Sequence, residues 1–314
     1  MIVKRNFSPI KVWRYIWRPM TFIILWSIAA WVLFAISGNQ LSLNFTPIGV
    51  LGSALAIFVA FRNNSSYGRW WEARTLWGGI VNSSRVLARL IITFADSHAH
   101  QANYERARSE AFKQDMVYKC IAWVHALRLH LRKQSDWEAL RPLLPPAEYE
   151  ELIATQNKPA FLQLMMGRKI YEAMGNGTLG GFDSFQMEGQ LLALANYQGG
   201  CERIKNTPLP RQYDFFTRVF VQLFALLLPF GLFSLFMGEK LISVSWLAIP
   251  LSILIAGVFV IMERTGAANE DPFEYQITDV PLTALCNTIE RDLREMLGER
   301  ELPPKLEPQD GYLF

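Results

Sequence analysis

Signatures of hydrolytic and redox chemistry are missing from this sequence. It holds no Gly-rich phosphate loop, no Cys-x-x-Cys pair and no Gly-x-Ser-x-Gly elbow. Its histidines, His98, His100, His125 and His130, lack the i, i+4 spacing of helix-borne metal ligands, and read as solvated or interfacial side chains. Cysteine is scarce: Cys120, Cys201 and Cys286 are an odd, scattered set that excludes a disulfide framework and leaves free thiols. A net charge of +3 is too small to make nucleic acid a partner. Neither an enzyme, a cofactor nor a metal centre is expected from these residues.

Charge itself is absent from long tracts. No Lys, Arg, Asp or Glu occurs in the 43 residues from Pro19 to Phe61, and Glu239 and Lys240 are the only ones from Val219 to Met262. A helix crossing ~30 Å of hydrocarbon needs ~20 mostly apolar residues. The first tract holds two such spans, 20–37 and 45–61, parted at Asn39-Gln40. The second holds two more, 215–237 and 244–262, parted at Gly238-Glu239-Lys240. The N-terminal run does not read as a cleavable signal, because 18 residues precede it and a second span follows at once.

What is present orients and fills the remainder. Lys4, Arg5, Lys11, Arg14 and Arg18 precede the first span, the loop at 38–44 is uncharged, and Arg62, Arg69 and Arg74 follow the second span. Basic flanks stay on the cytoplasmic side. Both termini and the middle region are therefore expected in the cytoplasm. The chain divides into 1–61 (N-terminal segment and spans 1–2), 62–214 (a cytosolic helical region with 19 basic and 15 acidic residues), 215–262 (spans 3–4) and 263–314 (a cytosolic C-terminal segment). Apolar spacing predicts helices over 67–94, 105–133, 147–155, 159–174 and 182–206. Pro142, Pro145 and Pro146 break the third from the second, 175–181 is a Gly-rich loop, and the tail after Leu302 reads as extended. Strand alternation, internal repeats and low-complexity tracts are all lacking.

The second span carries the most information. Gly49, Gly52, Ser53, Ala54, Ala56 and Ala60 give it a small-residue surface, which lets membrane helices approach closely. It is either a packing helix alone or the wall of a pore. On a helix, Ser53, Ile57 and Phe61 share one face at i, i+4 and i+8. Repeated around an axis they make one hydroxyl ring and two apolar rings, a neck that gates by dewetting and has no charge to choose an ion's sign.

Three motifs carry a resemblance. They are Phe61-Arg-Asn-Asn-Ser-Ser-Tyr-Gly-Arg-Trp-Trp-Glu-Ala-Arg-Thr-Leu-Trp-Gly78, Gly199-Gly-Cys-Glu-Arg-Ile-Lys-Asn-Thr-Pro-Leu-Pro210, and Asn269-Glu-Asp-Pro-Phe273 with Asp279-Val-Pro-Leu-Thr-Ala-Leu-Cys-Asn-Thr-Ile-Glu-Arg291. In this order, and with four spans, the chain resembles the bestrophin ion channels, above all their bacterial branch. The resemblance implies an all-α membrane protein, four transmembrane helices plus a large cytosolic helical region, assembled as a homopentamer in a bacterial inner membrane and passing monovalent ions. It puts the neck at Ser53, Ile57 and Phe61, with Ser53 departing from the family's bulky residue. A second constriction, at the cytosolic exit, falls on Phe182, which otherwise reads as a cap beside the Gly-rich loop. The calcium clasp of animal bestrophins is matched only by Glu270, Asp271 and Glu274, interrupted by Pro272-Phe273. That is too few oxygens for calcium, and suits carboxylates meeting basic partners or helix ends.

The sign of the ion is weighed at the exit. Asp183 and Glu188 follow Phe182, and no Lys or Arg occurs from Gly175 to Cys201. Repeated acids there would form a negative collar, which favours sodium or potassium. The alternatives are an anion (chloride) channel of the same fold, or a membrane transporter, which would carry ionisable groups within its spans.

Overall fold

In a computed structural model the chain is helical, with isolated bridges near the termini as the only extended pairing among the described residues. These are 1–5, 9–100, 104–238 and 241–314, with backbone alone at 9–12 and 14. The Glu239-Lys240 break and the side chains of Lys11 and Arg14 lie outside them. The helices are α1 (Pro9–Ile36), α2 (Phe45–Phe94), α3 (Arg106–Leu131), α4 (Pro146–Ala154), α5 (Lys158–Gly175), α6 (Gly181–Asn206), α7 (Arg211–Ser234), α8 (Ala248–Glu270) and α9 (Leu282–Met296), with 3-10 turns at Trp137–Leu143 and Ile242–Leu247. Four helical stretches are long and apolar enough to cross a membrane: Tyr15–Ile36, α2, α7 and Ile242–Glu270.

One boundary differs from the sequence expectation. The second span and the helix expected from residue 67 are a single helix of 50 residues. The polar run after Phe61 looks like a linker, yet it contains no proline, and two of its side chains bond to helix carbonyls. Asn63 donates to the Met262 carbonyl (3.0 Å) and Ser65 to the Phe61 carbonyl (3.1 Å). A helix continues where its polar groups are satisfied.

The chain forms two compact units, divided at Trp70, Thr207 and Asp271. An apolar unit, Lys4–Trp70 with Pro208–Asp271, packs α1, α7, α8 and the first part of α2. Its core joins Phe34, Ile48, Leu55, Val59, Phe224, Leu228 and Phe233. Two glycines set the α2–α7 spacing. A Cβ on Gly52 would lie 2.9 Å from the Phe224 ring, and one on Gly231 would lie 2.7 Å from Ile48. Helices α1 and α8 meet through a Ser252–Ser27 hydroxyl bond of 2.9 Å, a polar contact that binds helices where no water competes. Phe22, Leu25, Leu33, Leu254 and Val258 are exposed, as a surface facing lipid requires.

The polar unit, Met1–Val3, Trp71–Thr207 and Pro272–Phe314, is built on α3. Met116, Cys120, Trp123, Val124 and Leu127 of α3 are wholly buried, and α5, α6 and α9 pack against it. Lys119 is also fully buried, where it meets Asp115 and Glu148 (2.7 Å). The extended tail is pinned to α9: Asn287 donates to the Pro304 carbonyl at 3.1 Å and Arg291 to that of Pro303.

Candidate permeation site

On α2, Ile48, Gly52, Leu55 and Val59 turn into the apolar core. The opposite face is bare. Ile57 is 60% exposed and Phe61 70%, and Ser53 is exposed on the same side. The three residues thus share an uncovered face, at the i, i+4, i+8 spacing read from the sequence. Ser53 donates its hydroxyl to the Gly49 carbonyl at 3.0 Å. Its hydrogen is spent on its own helix, leaving oxygen lone pairs to the outside.

One residue past Phe61, the chain turns from apolar to ionic. Arg62 has a side chain only 2% exposed, and its guanidinium meets Asp214 at 2.5 Å, Glu270 at 3.6 Å and Glu263 at 3.8 Å. It also donates to the Glu263 carbonyl at 3.2 Å. Arg218 shares Asp214 (2.6 Å), Arg211 reaches Glu270 (3.8 Å), and Arg69 donates to the Glu270 carbonyl (2.6 Å). Two of these carboxylates, Glu263 and Glu270, are buried, just past the charge-free spans. Glu263 and Glu270 lie beyond Met262, at the end of α8, where basic partners neutralise them. Glu270 is therefore a structural carboxylate tied to cations. In the polar unit Glu274 is likewise bound to Lys205 at 2.5 Å.

In the polar unit Phe182 opens α6 and is 69% exposed, its ring 6.4 Å from that of Phe94. The next residue is one of the two acids of the expected collar. Asp183 is only 7% exposed, because its carboxylate turns back to cap α6. It accepts from the Gly180 N–H (2.9 Å) and meets His98 Nε2 at 2.7 Å. An acid at the third position of a helix satisfies orphan backbone N–H groups in this way. Glu188 remains exposed, with no ion pair among the described residues.

Three of the four histidines are also paired rather than merely solvated. Besides His98–Asp183, His125 contacts Glu290 at 2.9 Å and His130 contacts Glu202 at 3.6 Å. Burial pushes the Glu290 carboxyl up, but the His125 hydrogen bond and the charges of His125, Arg294 and Arg128 outweigh it, and the group titrates below the usual carboxylate range. The motifs behind the resemblance are largely joints. A Cβ on Gly200 would sit 3.0 Å from Leu76, one on Gly79 would overlap the Tyr197 ring, and Arg203 pairs with Glu72. Sequence reasoning missed two features: Arg62 as the cation shared by Asp214, Glu263 and Glu270, and the partner of His98. Both pairings join residues far apart in the chain, and local spacing gives no sign of either.

Comparison with known proteins places this architecture. The family described as bacterial/fungal bestrophin protein matches residues 7–295. The voltage-dependent anion channel-forming protein YneE of Escherichia coli K12 is 33% identical over 276 residues, 87% of this chain and 84% of that protein. A voltage-dependent anion channel-forming protein of Ralstonia nicotianae is also 33% identical, over 83% of this chain and 80% of its own length. A crystal structure of a bacterial bestrophin homolog from Klebsiella pneumoniae superposes with a TM-score of 0.78 at 30% identity, covering 90% of this chain and 98% of that one. With four membrane-length helices in an all-α fold and matches spanning nearly its whole length, the chain belongs to the bestrophin family of membrane channels, in the bacterial and fungal branch.

Proposed function

We propose that five copies of this chain surround one central pore in a bacterial inner membrane, with both termini in the cytoplasm, and that the pore conducts small monovalent anions such as chloride. The observation that carries the pore reading is the bare face of Ser53, Ile57 and Phe61, opposite a face of α2 packed into the core. One lining helix cannot enclose a channel, so symmetry must supply the others. The rings of Ile57 and Phe61 form a dewetting neck, and Phe182 forms a second narrowing. The basic flanks before the first span support the orientation.

The anion reading rests on the relatives, which carry the name anion channel-forming protein. It also rests on the burial of Asp183, whose carboxylate is turned to Gly180 and His98. Cations remain the second reading, on the strength of exposed Glu188 in a stretch from Gly175 to Cys201 without Lys or Arg. Single-channel recording in a planar bilayer under a chloride salt gradient separates the readings. Discrete steps that reverse near the chloride equilibrium potential are expected. Reversal at the cation potential would overturn the anion reading, and saturable flux without steps would overturn the channel itself.

A further inference from the structure

The residues around Phe182 form a chain of contacts that the permeation reading does not use. On α3, Ser109 donates to the Ala95 carbonyl (3.0 Å) and to Asp96 (2.8 Å), and Lys113 meets Asp96 at 2.5 Å. Those bonds fix the turn that follows α2. From that turn His98 reaches across to Asp183 at 2.7 Å, and Ser97 lies 3.4 Å from the same oxygen. The imidazole also covers Gly180, where a Cβ would sit 3.0 Å from Nε2. Asp183 in turn accepts from the Gly180 N–H, so the first turn of α6 is held at its carboxylate and at its backbone. Phe182 lies between these anchors, with Phe94 of α2 as its aromatic neighbour.

We propose that His98 is a positioning residue for the exit constriction: through Asp183 it fixes the first turn of α6 and thereby the direction of the Phe182 ring. This rests on the reading of Phe182 as a constriction. The physical reason is leverage. Phe182 is exposed, with Phe94 as its one ring contact among the described residues, so its placement depends on the backbone that bears it. That backbone depends on a carboxylate held from two sides. Removing the imidazole leaves Asp183 with its cap and the longer Ser97 contact, and opens the space over Gly180. The ring then samples a wider range, and the exit loses its fixed bore. Supporting contacts of this kind decide whether a site is held tightly enough to discriminate.

The test is a double-mutant cycle read in permeation. Phe182→Ala, His98→Ala and the combined variant are purified as the full-length assembly, checked for unchanged mass, and recorded singly in bilayers of mixed halide salts. Phe182→Ala is expected to raise unitary conductance and to shift the relative halide permeabilities. His98→Ala is expected to shift both the same way, and the combined variant to match Phe182→Ala alone. His98→Gln, which retains a donor toward Asp183, is expected to restore part of the wild-type values. No shift with Phe182→Ala would remove the constriction itself. A shift with Phe182→Ala but none with His98→Ala, or additive shifts in the combination, would overturn the role of His98. If His98→Ala fails to assemble, His98→Leu, which keeps bulk over Gly180 without a donor, takes its place. Failure of both to assemble would make His98 a folding residue and overturn the proposal.

Discussion

Ile57 and Phe61 are bulky apolar residues left bare on a helix whose other side, at Ile48, Leu55 and Val59, is packed into the core. Shaving both to Ala widens the rings and weakens dewetting, so unitary conductance or open probability is expected to rise. Ser53→Ala is expected to do less, since that ring is already small and its hydroxyl hydrogen is bound to Gly49. Bilayer recordings of the three variants check this, and unchanged currents in Ile57→Ala/Phe61→Ala would take these residues out of the pore. Arg62, next in the chain, has a different weight. Removing one member of a buried ionic cluster costs about 3–5 kcal/mol, because the remaining charges are left unpaired. Arg62→Met would leave Asp214, Glu263 and Glu270 facing one another without their shared cation. A clear fall in the detergent melting temperature is expected, while Arg218→Met, at an exposed position, should change it little. The shared bare face of Ser53, Ile57 and Phe61 was legible in the sequence because its spacing is local. The cluster was not, since Arg62 meets Asp214 across 152 positions.

At the level of elements, close helix approach makes a direct prediction. Gly52→Ala would place a methyl 2.9 Å from the Phe224 ring and is expected to destabilise by about 1–3 kcal/mol, the usual cost of overpacking. Gly68→Ala meets open space on the same helix and is expected to stabilise by up to about 1 kcal/mol through helix propensity. Thermal melts of the two variants, run in parallel, should move in opposite directions. Helix α9 adds a dependence on pH. The Glu290 carboxyl is held below its ordinary value, chiefly by His125 and Arg294 working against burial. A depressed acid contributes stability that is present above its unfolded pKa of about 4.3 and is lost as pH falls through the folded value. Glu290→Gln should therefore flatten the loss of stability below about pH 4.3, measured by melting at a series of pH values. The four spans were readable from charge alone. The continuity of α2 was not, because Asn63 and Ser65 look like linker residues until the carbonyls that receive them are known.

For the whole molecule, two of the three acids that match the animal calcium clasp already have cationic partners: Glu270 has Arg62 and Arg211, and Glu274 has Lys205. Calcium requires six or more oxygens, so micromolar calcium is expected to leave the currents unchanged, and calorimetric titration of the purified protein to show no binding at this stretch. Mass measurement of the detergent-solubilised assembly is expected to give five chains; a monomer or dimer would exclude a symmetric pore. The ion's sign was the part of the whole-molecule reading least open to sequence reasoning. Counting acids near Phe182 treats every carboxylate as available, and Asp183 is spent on capping its own helix.

Cys120, Cys201 and Cys286 are all buried, and burial pushes the Cys120 and Cys286 thiols up to about 12. Only the thiolate reacts, so the native chain offers water-borne sulfhydryl reagents almost nothing to attack. It is a silent background for chemical mapping as it stands, with no need to strip out its own cysteines. One cysteine at a time along α2, such as Ser53→Cys, Ile57→Cys or Val59→Cys, would report its own access to water. A modification pattern with the period of a helix, high at 53 and 57 and absent at core-facing Val59, would trace the wet side of the pore residue by residue.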